Sequence, residues 1–389
     1  MKQKSRISER ISLLNKRKIL HFMLLSKNPV SRADLSRMLG ISFPAISKNV
    51  GKLIDQGLLI EKSKGTADLG RKPILLDVNP YAGLIVMIHI GYQNAELVFC
   101  NLKKEIVDQQ KIVFDRSTQF EELNKILFEN VKNTSRKYID RGYEKIISVG
   151  IAVPAPVNYK NSELVYSRYY KWKNERLPNS IDILEKEIPV YWENDSNLLA
   201  IGSALKYGCS KSLLAVYLGL GIASGIIING YLHKGFNGEA GEIGQVLIPV
   251  NGEFHELERF ISEESLIEFA RKQLGLDYAS NEFVLEQLEK RLNNALVRNT
   301  FEMIATRVGQ FIAIMVKTID PEKVIFDGSI VRKCPTLIDM VVDKVMKFTN
   351  SPQDIFHPVQ ENESPILDGI YLTAIRKTFG FEKLEPSEL

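Results

Sequence analysis

Apolar positions along this chain follow a helical period at the start and a mixed strand and helix period afterwards. Ile11, Leu14, Ile19 and Met23 recur at near-helical spacing and predict a first amphipathic helix. Ser31-Arg-Ala-Asp34 predicts an N-cap with an acid three residues on, and Leu35, Met38 and Leu39 an apolar face behind it. Gly40 predicts the stop, because glycine enters the left-handed conformation cheaply. Ser42 then predicts the cap of a further helix, with Pro44 tolerated in its first turn. Ile46, Val50 and Leu53, at i, i+4 and i+7, form its inner face, and Gly57 ends it. Leu58-Leu59-Ile60 and Ile74-Leu75-Leu76 predict two strands around a tip of Lys62, Lys64, Gly65, Gly70, Arg71 and Lys72. Helix, short turn, helix and a two-stranded wing is the winged helix-turn-helix layout.

Beyond residue 80 the pattern alternates. Strands are predicted over 84–90, 95–100, 146–151, 189–192, 213–218, 225–228 and 324–326, and helices over 121–138, 197–206, 265–273 and 300–319. That alternation predicts an α/β body. No repeat of solenoid length and no low-complexity run is present.

Composition sharpens this picture. The 389 residues are 44% hydrophobic and 25% charged, ordinary for a globular chain of two or three domains. The longest apolar runs, 84–90 and 213–218, fall far short of the ~20 residues of a membrane helix, so no membrane partner is expected. The opening Met-Lys-Gln-Lys-Ser-Arg has no apolar segment behind it, which argues against a signal peptide. Cys100, Cys209 and Cys334 lie too far apart for a disulfide framework or a Cys-x-x-Cys zinc site, and a reducing cytoplasm is the expected compartment.

Charge is uneven. Residues 1–80 hold 16 Lys and Arg against 6 Asp and Glu, a net +10, whereas the rest of this +4 chain is net −6. A basic head on a mildly acidic body points to double-stranded DNA at the head. The outer side of the second helix-turn-helix helix would carry Ser42, Phe43, Ala45, Ser47, Lys48 and Lys52. Ser42, Phe43, Ser47, Lys48 and Lys52, with Arg71 and Lys72 at the wing, are therefore the candidate DNA contacts: hydroxyls and lysines suit a major groove, and a basic wing suits phosphate or the minor groove. A winged domain used for protein contacts, or a basic tail that keeps a protein soluble, shares parts of this pattern. The agreement of helix, wing and charge favours DNA.

Two features of the body can carry chemistry. Glycines crowd the stretch from Gly219 to Gly244, where backbone N–H groups can approach an anion or a sugar. Glu193-Asn194-Asp195-Ser196-Asn197 places a carboxylate and amides at a predicted strand end before a helix, where Asp195 or Ser196 can equally serve as a plain N-cap.

The chain resembles the ROK family of repressors and sugar kinases, and within it the xylose-repressor-like transcription regulators. At the head, Ser31-Arg32, Gly40-Ile41-Ser42, Gly57-Leu58 and Gly70-Arg71-Lys72-Pro73 are similar to the family's winged domain, and Asn79-Pro80 to its domain junction. In the body, Gly150-Ile-Ala-Val-Pro154-Ala-Pro156, Glu193-Asn194-Asp195-Ser-Asn197 and Gly238-Glu-Ala-Gly241-Glu242-Ile-Gly244 are similar to its motifs. The resemblance implies a winged helix-turn-helix over 1–80 and a two-lobed actin/sugar-kinase-like (ribonuclease H-like) body over 81–389. Lobe one would take about 81–198 plus the C-terminal helix, and lobe two about 199–368.

Departures from the family's kinases bear on function. The kinases' Asp-x-Gly-Gly-Thr strand end here reads His89-Ile-Gly91-Tyr92-Gln93. Leu220 and Ala223 replace a threonine and a glycine of the second phosphate loop, and Asp327-Gly328-Ser329 stands where the nucleoside loop has a glycine run. Phosphoryl transfer depends on charge neutralisation by metal and donors, so no kinase activity is expected. Gln245 stands where the family has a histidine, and the segment from Pro249 to Glu258 lacks the cysteines of its zinc loop. No metal and no cofactor are therefore expected, and His255 reads as a surface residue. Asn194, Asp195, Glu242, Gln245 and Glu258 remain as candidate contacts to a sugar effector. The expectation is a sugar-responsive regulator of carbohydrate genes, a repressor, binding operator DNA as a homodimer or homotetramer. A carbohydrate kinase with a DNA-binding head, and a regulator without a small-molecule effector, are the alternatives.

Overall fold

The computed structural model describes residues 2–26, 28–64, 73–209, 211–250, 252–277 and 280–381. The chain opens with α1 (Lys2–Leu25), β1 (Val30–Ser31), α2 (Arg32–Leu39), α3 (Phe43–Asp55), β2 (Leu59–Lys64) and β3 (Ile74–Val78), the last pairing with both other strands. The start of α2 matches its sequence: the Ser31 hydroxyl accepts from the Asp34 N–H at 3.2 Å, and Gly40 closes the helix at φ +62°. Three expectations fail. Ile11 and Leu14 are exposed although Ile19 and Met23 are buried, because at about 100° per residue they are turned away from the side of α1 on which Ile19 and Met23 lie and from which Ser12 reaches Asn49 of α3. Met38 points outward at 59% exposure while Leu35 is buried. Ser42 stands at the N-cap of α3 but its hydroxyl makes no capping bond. The wing tip with Gly65, Gly70, Arg71 and Lys72 lies outside the described residues.

The body is built from two sheets with one plan. The first comprises β4 (Leu84–Ile90), β5 (Asn94–Asn101), β6 (Ile106–Val113) and, after α4 (Phe120–Ile139), β7 (Ile146–Val153). A small sheet of β8 (Val157–Asn158), β9 (Glu163–Tyr166) and β10 (Lys173–Arg176) follows, then β11 (Ser180–Ile183) and β12 (Lys186–Asn194), which return to the first sheet. Its order is β11-β12-β7-β4-β5-β6. Next come α5 (Asp195–Lys206), β13 (Leu213–Leu218), β14 (Ile222–Ile228) and β15 (Tyr231–Leu232), and the hairpin β16 (Leu247–Val250) and β17 (Glu253–Glu256). Helices α6 (Glu258–Ile261), α7 (Glu263–Leu274), α8 (Asn281–Lys290) and α9 (Ala295–Ile319) lead to β18 (Lys323–Asp327). The chain ends with α10 (Ser329–Lys333), α11 (Pro335–Thr349), β19 (Phe356–Pro358) and α12 (Pro365–Phe379). The second sheet runs β15-β14-β13-β18-β19. In each sheet an antiparallel meander of three strands is extended by two parallel ones, a duplicated half invisible as a sequence repeat.

Two helices lie between the sheets. A Cβ on Gly202 of α5 would sit 1.9 Å from the Pro365 carbonyl oxygen, and one on Gly369 of α12 would sit 2.0 Å from that of Leu198. Only hydrogen fits at both places, so the two backbones touch. On its other side α5 meets the second sheet, where Gly225 leaves room for the Ser196 carbonyl. The opposite side of α12 meets the first sheet through Ile370 against Gly150. One continuous apolar core joins Ile19, Met23, Ile46 and Val50 of the head with Ile85 and Met87 of β4, Leu198 of α5, and Ile370 and Ile375 of α12.

Candidate functional site

Strand ends and turns of both sheets converge on a cavity of about 380 Å³. The first sheet contributes His89 and Gly91 at the end of β4, Pro154 to Pro156 after β7, and Asn194 and Asp195 where β12 becomes α5. The second contributes Tyr217 of β13, the turn Leu220 to Ala223, Glu242 and Glu258. Tyr166, Arg168, Tyr169 and Lys171 from the β9–β10 hairpin form one wall, with Arg116 beside them.

Asn194 is the N-cap of α5, correcting the assignment of that role to Asp195 or Ser196: its side-chain oxygen accepts from the Ser196 N–H at 3.0 Å and the Asn197 N–H at 3.2 Å. The cap fixes the Asn194 amide and leaves Asp195 at the first helical position. The Asp195 carboxylate accepts from the Ser196 N–H at 2.7 Å. Burial still pushes its carboxyl up to about 7, with the nearby Glu242 adding to the rise. Glu242 is likewise pushed up to about 7 by burial, against a hydrogen bond from the Gln245 amide at 3.0 Å. Glu258 is raised by burial and accepts from the Ile222 N–H at 3.3 Å. Burial lowers His89 to about 4, so its imidazole is neutral at pH 7.

Four of the five sugar-contact candidates, Asn194, Asp195, Glu242 and Glu258, therefore share one cavity. Gln245 does not line it; this side chain is exposed and reaches the site only through Glu242. Gln93 does not line it either, because its N–H donates to the Tyr170 hydroxyl at 3.0 Å and its backbone is left-handed at φ +50°. His255 is half-buried in β17, 3.2 Å from the Arg259 guanidinium and 3.4 Å from Glu253. Among the described residues no group of three or more His, Cys, Asp or Glu could hold a metal ion. Within the glycine-rich stretch, strand β14 covers residues 222–228, beginning three residues before the predicted 225–228.

The β9–β10 wall was not foreseen. Its signal is the run Tyr166-Ser-Arg-Tyr-Tyr-Lys-Trp172, dense in aromatic and basic residues. Tyr170 and Trp172 stack at 4.2 Å beneath it, and Arg168 reaches the second half of the chain, donating from Nη2 to Glu256 at 2.8 Å. The wall is thus tied to both halves of the body, by the ring stack on one side and by Glu256 on the other.

Of the candidate DNA contacts, Ser42 at the N-cap and Phe43, Lys48 and Lys52 of α3 are exposed and Ser47 is half-buried. Lys52 leans back to the Ser12 hydroxyl of α1 at 3.4 Å. Arg71 and Lys72 lie outside the described residues.

A model of the ROK family matches residues 85–369. The chain belongs to the ROK family. Among relatives of this ROK protein, the xylose repressor of Caldicellulosiruptor bescii is 28% identical, over 78% of this chain and 80% of its own. The xylose repressor of Bacillus subtilis is 27% identical, over 84% of this chain and 85% of its own. A crystal structure of a ROK family transcriptional regulator, a homolog of the Escherichia coli Mlc protein, aligns with a TM-score of 0.75 at 19% identity. It covers 95% of this chain and 97% of its own, so the likeness of fold includes the head.

Proposed function

We propose that this ROK protein is a DNA-binding transcription regulator, a repressor of carbohydrate genes, that responds to a sugar in the cavity between its two sheets. The observation that carries the reading is the cavity's chemistry. Four carboxyl groups, of Asp195, Glu242, Glu258 and Glu264, and the fixed Asn194 amide face one space, and sugar hydroxyls are donors that such acceptors hold. The features a phosphoryl transferase needs are replaced there. The end of β4 offers a neutral imidazole in place of a carboxylate for a metal, and Leu220 puts an apolar side chain in the turn after β13. Asp327, beside Gly328, is tied to Arg332 at 2.7 Å. The protein would bind a near-palindromic operator as a homodimer or homotetramer, with Ser42, Phe43, Ser47, Lys48 and Lys52 of α3 and Arg71 and Lys72 of the wing on the DNA.

Two measurements test this directly. Selection from a random duplex pool should yield a bound operator, and a thermal-shift panel of neutral aldoses headed by D-xylose should show stabilisation. Turnover of ATP on that panel in a coupled assay would replace the repressor by a kinase. Lys48→Ala should weaken operator binding and lower the slope of log affinity against log salt by about one, because each phosphate contact releases about one counterion. An unchanged slope for Lys48→Ala and for Arg71→Ala would move the DNA face elsewhere.

The hairpin β16–β17 offers one imidazole and a few carboxylates, a poor set for structural zinc, which takes about four nitrogen or sulfur ligands. Elemental analysis should find far less than one zinc per chain, and chelators should leave the melting temperature unchanged. Stoichiometric zinc would reverse this reading of the hairpin.

A further inference from the structure

We propose that α12 is the relay between the cavity and the DNA-binding head, and that Phe381 is the principal contact through which it acts on α1. This rests on the reading of the protein as a regulator with an effector cavity. The relay has three joints. At the first, Asn194 and Asp195 line the cavity at the start of α5, and α5 touches α12 backbone to backbone at Gly202 and Gly369. No side chains cushion that joint, so the helices cannot slide past one another freely and move as a pair. The second joint is the placement of the pair. Helix α5 lies on the second sheet through Gly225, and α12 lies on the first through Ile370. Any change in the angle between the sheets must therefore shift α12 against the first sheet or α5 against the second.

The third joint reaches the head by two routes, one through α1 and one through the turn after β5. At the end of α12 the N–H groups of Gly380 and Phe381 both donate to the Arg376 carbonyl, at 2.8 and 2.9 Å, which turns Phe381 back towards α1. The Phe381 ring sits 4.8 Å from the His21 ring, and the Arg17 guanidinium lies directly over Gly380. Further along, the Tyr371 hydroxyl donates to the Leu102 carbonyl at 2.7 Å, and Lys104 pairs with Asp368. The same turn carries Lys103, which holds Asp77 of β3 at 3.1 Å. Helix α1 in turn backs α3: the Ser12 hydroxyl donates to Asn49 at 3.0 Å, and Lys16 reaches Gln56 at 3.4 Å. The first turn of α5 and the DNA face of α3 are thus linked by packed helices without an intervening flexible segment.

Coupling between two sites is reciprocal, so DNA can serve as the probe of the relay without any sugar. Amide exchange of the full chain is measured by mass spectrometry with and without the selected operator duplex, for the parent, Phe381→Ala and Phe381→Leu. The expected result is that operator slows exchange in α12 and α5 of the parent at least threefold. In Phe381→Ala that response is lost while operator affinity stays within about threefold of the parent, and Phe381→Leu, which keeps an apolar contact, retains it. Phe381 is half-buried at the end of the described chain, and equal melting temperatures would show that the variants fold. Parent α12 and α5 that ignore bound operator, or Phe381→Ala that responds like the parent, would overturn the relay alone. A parent that selects no duplex at all would overturn the regulator reading and the relay with it.

Discussion

Asp195→Asn is expected to stabilise the sugar-free protein at pH 8, to change it little at pH 4, and to weaken sugar binding tenfold or more at pH 8. The stability effect follows from the carboxyl lifted from 3.8 to about 7 by burial. Between those values the unfolded chain has released the proton and the folded one still holds it, so stability is lost as pH rises through that window. From about pH 8 upward the cost is nearly complete, on the order of 4 kcal/mol at about 1.4 kcal/mol for each tenfold change in the proton equilibrium. Asparagine does not titrate, and its oxygen can keep the 2.7 Å bond from the Ser196 N–H. Melting curves at pH 4 and 8 check this; an equal gain at both would mean that Asp195 carries no buried charge. The binding effect has the opposite sign because a sugar hydroxyl would donate a further hydrogen bond to the ionised carboxylate, beside the one from the Ser196 N–H. A charge-assisted hydrogen bond contributes about 1.5–3 kcal/mol, which is roughly tenfold or more in affinity. Calorimetry with the sugar that stabilises the parent should show the gap at pH 8 narrowing at pH 6, where the parent's own carboxyl is protonated. An unaltered affinity at pH 8 would move the ligand site out of this cavity.

Gly202→Ala is expected to cost about 3 kcal/mol or more. Its new methyl would lie 1.9 Å from the Pro365 oxygen and 2.8 Å from the Gly369 nitrogen, both backbone atoms that cannot rotate aside. Helices α5 and α12 would have to part, opening the core they share with the head. Gly51→Ala in α3 is the control: nothing lies within 4 Å of its position, and alanine in a helix interior gains about 0.5–1 kcal/mol over glycine. Denaturant melts should separate the two variants in opposite directions. A Gly202→Ala midpoint equal to the parent's would show that the helix pair has slack, and would weaken the rigid joint on which the relay depends.

Much of this was legible in the chain itself. The cap at Ser31, the stop at Gly40 and the inner face of Ile46, Val50 and Leu53 define α2 and α3 because capping and helical period are local properties. The body strands were legible for the same reason: 84–90 and 213–218 are short apolar runs closed by polar or glycine-bearing turns. The motif around Asn194 and Asp195, and the pair Glu242 and Glu258, were singled out by their likeness to motifs of the family, and the fold brings these four residues to one cavity.

Tertiary structure decided the remainder. Local pattern gave Ile11, Leu14 and Met38 to the core, and the packing of the described residues leaves them exposed. Gln245 stood in a sugar-facing position by motif, yet the turn that carries it aims it outward onto Glu242. The β9–β10 wall, the acids pushed towards neutral pH and the contact of α5 with α12 all join residues far apart in sequence. Their physics is burial and close approach: these carboxyls rise because water is removed and other acids are brought near, and Gly202 and Gly369 are required because another backbone arrives. Sequence alone determined the elements and the chemistry carried at their ends. The packing of α12 between two sheets and a DNA-binding head determined which of those ends meet, because that depends on surfaces no single segment contains.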